Sequence, residues 1–256
     1  MLGRQLGLLA ALFTCTITVA GGTTLAAQSI RLGTPVDPQA RDAVLVLRLY
    51  TVASGQGWGT VPREVTLEAK RALDGLADMA MIGIAGGTSG VEIPGGGRLT
   101  AVEATFNVLD VLNVPPWLGR GFEEGDTRRP ERAAMLTAAT WQERFNRDPG
   151  VIGRRFTHVS PSGVSTIVIV VGILPPGLFT AHPEVDPGTQ ILLLTPDRLD
   201  ETSALGPTYS PILRLRPGVR AGQVDAALRL TMARLHANGT SAGQALRLES
   251  LREPRR

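Results

Sequence analysis

Three groups of residues in this chain have types and spacings that could do chemistry. His182, Glu184 and Asp186 stand at i, i+2 and i+4, which on an extended segment would turn three ligands one way, as a divalent cation requires. Pro183 and Pro187 break the regular backbone such a site needs, so residues 179–188 read as an exposed polar loop. Gly239-Thr-Ser241-Ala-Gly243 spells the G-x-S-x-G nucleophile elbow. The elbow requires a strand before it and a helix after it, and its triad order requires a later histidine. Here a helical pattern comes first, a strand pattern second, and no histidine follows Ser241. The third group is glycine-rich, Gly86-Gly87-Thr-Ser-Gly90 and Gly95-Gly96-Gly97, and might cradle phosphate. It contains neither G-x-G-x-x-G nor a Gly-Lys pair, and the only lysine, Lys70, follows Ala69 in a helical pattern. These glycines therefore read as turns, and any ATPase working with this chain would be another polypeptide. His158 and His236 are isolated, and Asn238-Gly239-Thr240 is a glycosylation acceptor only where the modifying enzyme exists. The single cysteine, Cys15, permits no intramolecular disulfide and no cysteine metal site. The expectation is a chain without catalytic, cofactor-binding or metal-binding residues.

The elements that would position such groups follow from periodicity. Val44 to Tyr50 reads as a strand, Ser54 to Thr60 as a Gly-rich loop holding Trp58, and Pro62 suits the first turn of a helix. Val65, Ala69, Leu73 and Leu76 keep one face of that helix, and Ala80 to Ala85 follows as a strand. The glycines from 86 to 97 bracket a hairpin-like region leading into a strand from Leu99 to Ala104. Thr137 suits the N-cap of a short helix with Trp141 and Phe145 on one face, stopped by Pro149 and Gly150. The apolar run Ile167 to Leu174 ends at Pro175-Pro176-Gly177, as a buried strand meets a tight turn. Strands are expected at Gln190 to Leu194, Pro211 to Leu215 and Leu246 to Leu251. A helix over 222–238 with Val224, Leu228, Thr231 and Leu235 on one stripe is capped by Asn238-Gly239. Two strand, helix, strand units sharing a sheet, with the central segment inserted between them, give an α+β fold.

Composition agrees with modest aliphatic cores, since 43% of residues are hydrophobic and only 4% aromatic. A net charge of +3 arises from 26 basic and 23 acidic residues without a basic run, which argues against nucleic acid. At the N-terminus no charge lies between Arg4 and Arg31, and Leu6 to Val19 is apolar. Such a segment is a transmembrane helix or a secretory signal, and the poor cleavage site at Leu25-Ala26-Ala27 favours the helix. With Arg4 inside, the bulk of the chain lies outside the cytoplasm.

The central segment carries a longer ordered pattern: Leu112-Asn-Val-Pro-Pro-Trp-Leu-Gly-Arg-Gly-Phe122, then Leu136 through Gly153 with Trp141, Arg144, Phe145, Asp148 and Pro149, then Val171-Gly172-Ile-Leu-Pro-Pro-Gly177. It resembles the MacB-like periplasmic core domain of FtsX-like ABC-transporter permeases, over roughly Arg31 to Glu253. Leu109 and Asn113 depart from that pattern, but asparagine tolerates the left-handed conformation the turn needs.

The resemblance implies an N-terminal transmembrane helix over 1–30 and a periplasmic core domain over 31–253. It implies a porter-like subdomain of two βαβ-type units with an inserted, mostly β subdomain. It also implies a chain in the bacterial inner membrane with one span and a periplasmic bulk, with no catalytic role. Its partners would be a separate ABC ATPase, the remaining permease spans, a periplasmic partner protein and a second copy. Permeases of the family carry further spans after this domain, whereas this sequence stops at Arg256. The alternative is therefore an exported free-standing or singly anchored binding module. In either case the loops at Ser54 to Thr60 and 179–188 are the expected partner surfaces, and Trp117, Trp141 and Phe145 are expected to hold the subdomains together.

Overall fold

The computed structural model describes residues 44–53, 57–58, 60–83, 90–95, 97–160, 163–178, 188–195, 208–239 and 243–250. All belong to one compact unit, Gly33–Arg256. The N-terminal apolar segment lies outside the described residues, and no helix among them is long and apolar enough to cross a membrane. The fold is α+β.

The first strand, helix, strand unit is β1 (Val44–Thr51), α1 (Arg63–Ala72) and β4 (Ala77–Gly83), with the two-residue strands β2 (Gly57–Trp58) and β3 (Val61–Pro62) before the helix. The second is β12 (Thr208–Leu215), α4 (Ala221–Ala237) and β13 (Gln244–Ser250). They interleave in one antiparallel sheet of order β4-β12-β1-β13. α1 buries Val65 and Ala69, and α4 buries Val224, Leu228, Met232 and Leu235. These side chains pack with Leu47, Met79, Met81, Tyr209 and Leu213 from the sheet. Pro211 lies inside β12, not at its start, because a proline is tolerated where neighbouring strands part: β1 pairs only up to Ile212, and β3 pairs with Thr208 and Tyr209. The expected loop from Ser54 to Thr60 is in part strand, since Gly57 and Trp58 pair with Tyr50 and Leu49 of β1.

Between the units, β5 (Gly90–Glu92), β6 (Arg98–Ala104), β8 (Arg132–Thr137), β9 (Arg155–Val159), β10 (Ser165–Leu174) and β11 (Ile191–Leu194) close on themselves. β5 pairs with β6 and β9, β10 with β9 and β8, and β11 with β8 and β6. This is a six-stranded barrel, parallel only at β8–β10 and β6–β11. So narrow a barrel is filled by its own side chains, here mainly Val91, Leu99, Ala101, Ala134, Leu136, Phe156, Val168, Val170, Ile191 and Leu193.

The short helix α2 (Val108–Leu112) and the outer faces of β6, β8 and β11 supply Val108, Leu109, Val111, Leu112, Val102, Met135, Leu192 and Leu194 to a further core. Val46, Ala80, Ile82 and Ile212 of the open sheet complete it. This core joins the barrel to the sheet. Trp117, Trp141 and Phe145 do not: they lie in or against the barrel's own core, where Phe145 stacks on Phe156 with ring centroids 5.8 Å apart. The expectation failed because aromatic size suggested a junction, whereas the junction is built of aliphatic side chains.

The helix α3 (Ala138–Phe145) begins as expected, with Thr137 Oγ1 accepting the Thr140 amide at 3.2 Å. It ends earlier than expected. Asn146 and Arg147 turn left-handed (φ 48° and 57°), and Pro149 instead opens a separate 3-10 turn over Pro149–Val151. Asn113 likewise takes φ 53° at the end of α2, as its side chain allows.

Two glycines of the central pattern are required by close approach. The strand β7 (Leu118–Gly119) pairs with β10, placing Gly119 opposite Gly172. A Cβ on Gly119 would lie 2.4 Å from the Val171 carbonyl, and one on Gly172 would lie 2.2 Å from the Arg120 carbonyl. Gly119 also holds φ +74°, as Gly153 holds φ +86°, but around Gly153 there is open space. Gly153→Ala should therefore cost about 1 kcal/mol and Gly119→Ala on the order of 3 kcal/mol or more, read from urea unfolding midpoints. Equal costs would mean that the crossing does not demand glycine.

Candidate functional site

Most of the residues singled out for chemistry have no described position. His182, Glu184, Asp186 and Ser241 lie outside the described residues, as do residues 84–89 of the glycine-rich region. Around Ser241 the order is α4 before and β13 after, the reverse of a nucleophile elbow. Gly95 and Gly97 turn left-handed (φ 91° and 138°) in the β5–β6 hairpin, where the Gly97 carbonyl accepts the Ile93 amide at 3.1 Å. Among the described residues no three His, Cys, Asp or Glu side chains could hold a metal ion.

What the structure assembles instead is a set of polar ties, two within the barrel and its flank and one along the sheet edge beside it. At one barrel end Glu103, Arg132 and His158 converge, with 6% of Glu103 and 3% of His158 exposed. Arg132 donates to the Leu194 carbonyl from Nε at 3.0 Å and from Nη2 at 2.8 Å, and Nη2 lies 3.1 Å from Glu103 Oε1. Its Nη1 lies 3.3 Å from His158 Nδ1, and since arginine only donates, Nδ1 accepts and the ring proton sits on Nε2. Burial pushes His158 down to about 4, and the charges of Arg132 and Arg98 push the same way. Glu103 Oε2 and Thr195 Oγ1 have no hydrogen-bond partner among the described residues.

Beside this end a cleft of about 260 Å³ is lined by Lys70, Asp74, Asp78, Met79, Phe106 and Arg216, among others. Its floor is the outer edge of β4, which pairs with β6 only at Ile82 and Gly83. Beyond that point side chains replace the missing strand. Thr105 Oγ1 accepts the Met81 amide at 3.0 Å and Asn107 Nδ2 donates to the Met79 carbonyl at 2.9 Å. An edge covered in this way is protected from pairing with another chain.

The third tie fixes the Leu118-Gly119-Arg120 stretch. Arg120 holds Asp126 in a two-pronged pair, Nη1 to Oδ2 at 2.6 Å and Nη2 to Oδ1 at 2.8 Å. Burial alone would raise the Asp126 carboxyl. The Arg120 hydrogen bonds, the Glu123 amide and the charges of Arg120 and Arg129 outweigh burial and hold it below the ordinary value. Gly119, Gly172 and Arg120 of the central pattern thus fix the path of the chain.

That pattern has counterparts. A family model described as the MacB-like periplasmic core domain matches residues 6–230. The chain belongs to the MacB-like periplasmic core domain family. Solved structures agree in fold. A domain described as that of a permease protein from Porphyromonas gingivalis superposes with a TM-score of 0.57 at 17% identity, covering 84% of this chain and 92% of that one. The periplasmic region of MacB from Actinobacillus actinomycetemcomitans gives 0.55 at 12%, covering 83% and 91%. The extracellular domain of the ABC-type transporter YknZ from Gram-positive bacteria gives 0.51 at 14%, covering 79% and 99%. No curated protein matches by sequence.

In this MacB-like domain the Glu103–Arg132–His158 cluster sets a pH dependence. The folded state keeps His158 neutral down to about 4, while the unfolded chain takes up the proton near 6.5. Its stability is thus complete above 6.5 and falls as the pH drops toward 4. Urea midpoints measured across that range should decline for the native chain and stay flatter for His158→Gln. Parallel curves would assign the decline to other groups.

Proposed function

We propose that this chain is the extracytoplasmic part of an ABC-transporter permease, standing on a transmembrane helix formed by residues 1–30, with its main domain in the periplasm. The observation that carries this reading is the family match over residues 6–230. The two βαβ units form the porter-like subdomain, and the closed barrel is the inserted one. In this reading no residue is catalytic. The domain passes motion driven by a separate ATPase to a substrate or partner protein outside the membrane, and it works beside the remaining permease spans and a second copy of itself. The ties along the β4 edge favour such a role, because Thr105 and Asn107, which follow the barrel strand β6, are fastened to the sheet strand β4 and give motion a path between them.

Fractionation of a C-terminally tagged full-length chain tests the anchor. Retention at full size in carbonate-washed membranes is the expected result. A shortened product in the soluble extracytoplasmic fraction would mean cleavage near Ala26 or Ala27 and would replace this reading with that of an exported binding module.

A further inference from the structure

β13 is the last strand of the open sheet, and among the described residues it pairs with β1 alone. Its ladder with β1 runs unbroken from Leu45–Ser250 to Thr51–Gln244, without proline or bulge. One position further on, the Val52 amide donates to the Gly243 carbonyl at 2.8 Å. In an antiparallel pair every second position exchanges hydrogen bonds. Counted from Val52, those positions are Ala245, Arg247 and Glu249, which turn their N–H and C=O groups to β1. Leu246, Leu248 and Ser250 turn theirs to the outer edge. A straight edge of this kind offers its backbone to another strand.

The side chains of β13 say which strand fits. Leu246 and Leu248 pack into the core under α1 and α4. Arg247 and Glu249 lie on the other face, where Arg247 sits 4.9 Å over the Tyr50 ring and Glu249 Oε2 is 2.7 Å from Arg48 Nε. The order Arg247-Leu248-Glu249 is its own complement in an antiparallel pairing. About a two-fold axis through Leu248, that residue exchanges both hydrogen bonds with Leu248 of a second copy, Leu246 faces Ser250, and Arg247 faces Glu249 twice. The charged positions are then the non-hydrogen-bonded ones, where the side chains of an antiparallel pair come closest. An axis through Arg247 would set arginine against arginine, and an axis through Glu249 would set glutamate against glutamate. Charge therefore selects the axis at Leu248.

We infer that two copies of this chain join through their β13 edges, antiparallel about an axis at Leu248, so that two open sheets become one. The backbone groups of Leu246, Leu248 and Ser250 supply the new ladder, and the Arg247–Glu249 pairs fix its register. This gives a surface to the second copy in the transport reading, yet it rests on β13 and stands for an anchored or an exported chain alike.

Sedimentation equilibrium of the full-length chain in dodecyl maltoside micelles tests it, with Arg247→Glu, Glu249→Arg and the double variant R247E/E249R. The native chain should dimerise. Each single substitution turns two attractive pairs into two repulsive ones and should weaken the dimer about tenfold or more, with the melting temperature near the native value. The double variant should recover the native affinity. An equimolar mixture of the two single variants should form a heterodimer, because an edge carrying two glutamates then meets an edge carrying two arginines. A monomeric native chain, single variants as dimeric as the native chain, a double variant no tighter than the singles, or a mixture that stays monomeric would each overturn the inference. None of these outcomes touches the anchor, which fractionation tests separately.

Discussion

A strand has two hydrogen-bonding edges, and the whole domain depends on how β6 divides them. One edge pairs with β11 from Ala101 to Ala104 and closes the barrel. The other pairs with β5 from Arg98 to Thr100 and then changes partner, meeting β4 at Glu103 and Ala104. A single strand thereby belongs to a closed barrel and to an open sheet. The chain cannot continue along β4 without leaving the barrel, so it turns away at Thr105 and Asn107, and their side chains satisfy the β4 backbone that β6 has abandoned. Helix α2 follows at once and fills the angle between the two bodies with Val108, Leu109, Val111 and Leu112.

The family's ordered pattern makes physical sense as a record of chain crossings. Gly119 and Gly172 let two backbones meet without side chains between them, Arg120 is fastened by Asp126, and Asn113 and Asn146 supply left-handed helix ends. Trp141 lies against the barrel core and donates from Nε1 to the Asp148 carbonyl at 2.8 Å, tying helix α3 to the turn that follows it. Each of these groups is spent on the path of the backbone.

Local signals in the sequence were readable where a local cause produces them. Thr137 caps its helix, Asn113 takes its left-handed turn, and the periodicity of Val65 and Ala69, or of Val224 and Leu228, places both longer helices. The barrel was not readable as closed, because its closing pair joins residues 101–104 to 191–194, and nothing local encodes that contact. β8 was missed as well, since Ala133, Ala134 and Met135 carry no β-branched signal and owe their strand to burial on both sides. The polar cluster comes from three strands, with Arg132 and His158 twenty-six residues apart, and only their inward register reveals it. The one hint was an arginine heading an otherwise apolar run. The chain crossing at Gly119 explains after the fact why a motif with no chemistry is so ordered.

The junction between barrel and sheet also has a mechanical meaning. Where β4 and β6 meet, the strand ladder is only two residue pairs long, Ile82–Ala104 and Gly83–Glu103, and Thr105 and Asn107 extend it with their own hydrogen bonds to Met81 and Met79. By contrast β4 and β12 share an unbroken ladder from Ala77 to Gly83. A pull applied to the barrel therefore reaches the sheet through a short ladder, its side-chain extension and the aliphatic core packed behind them.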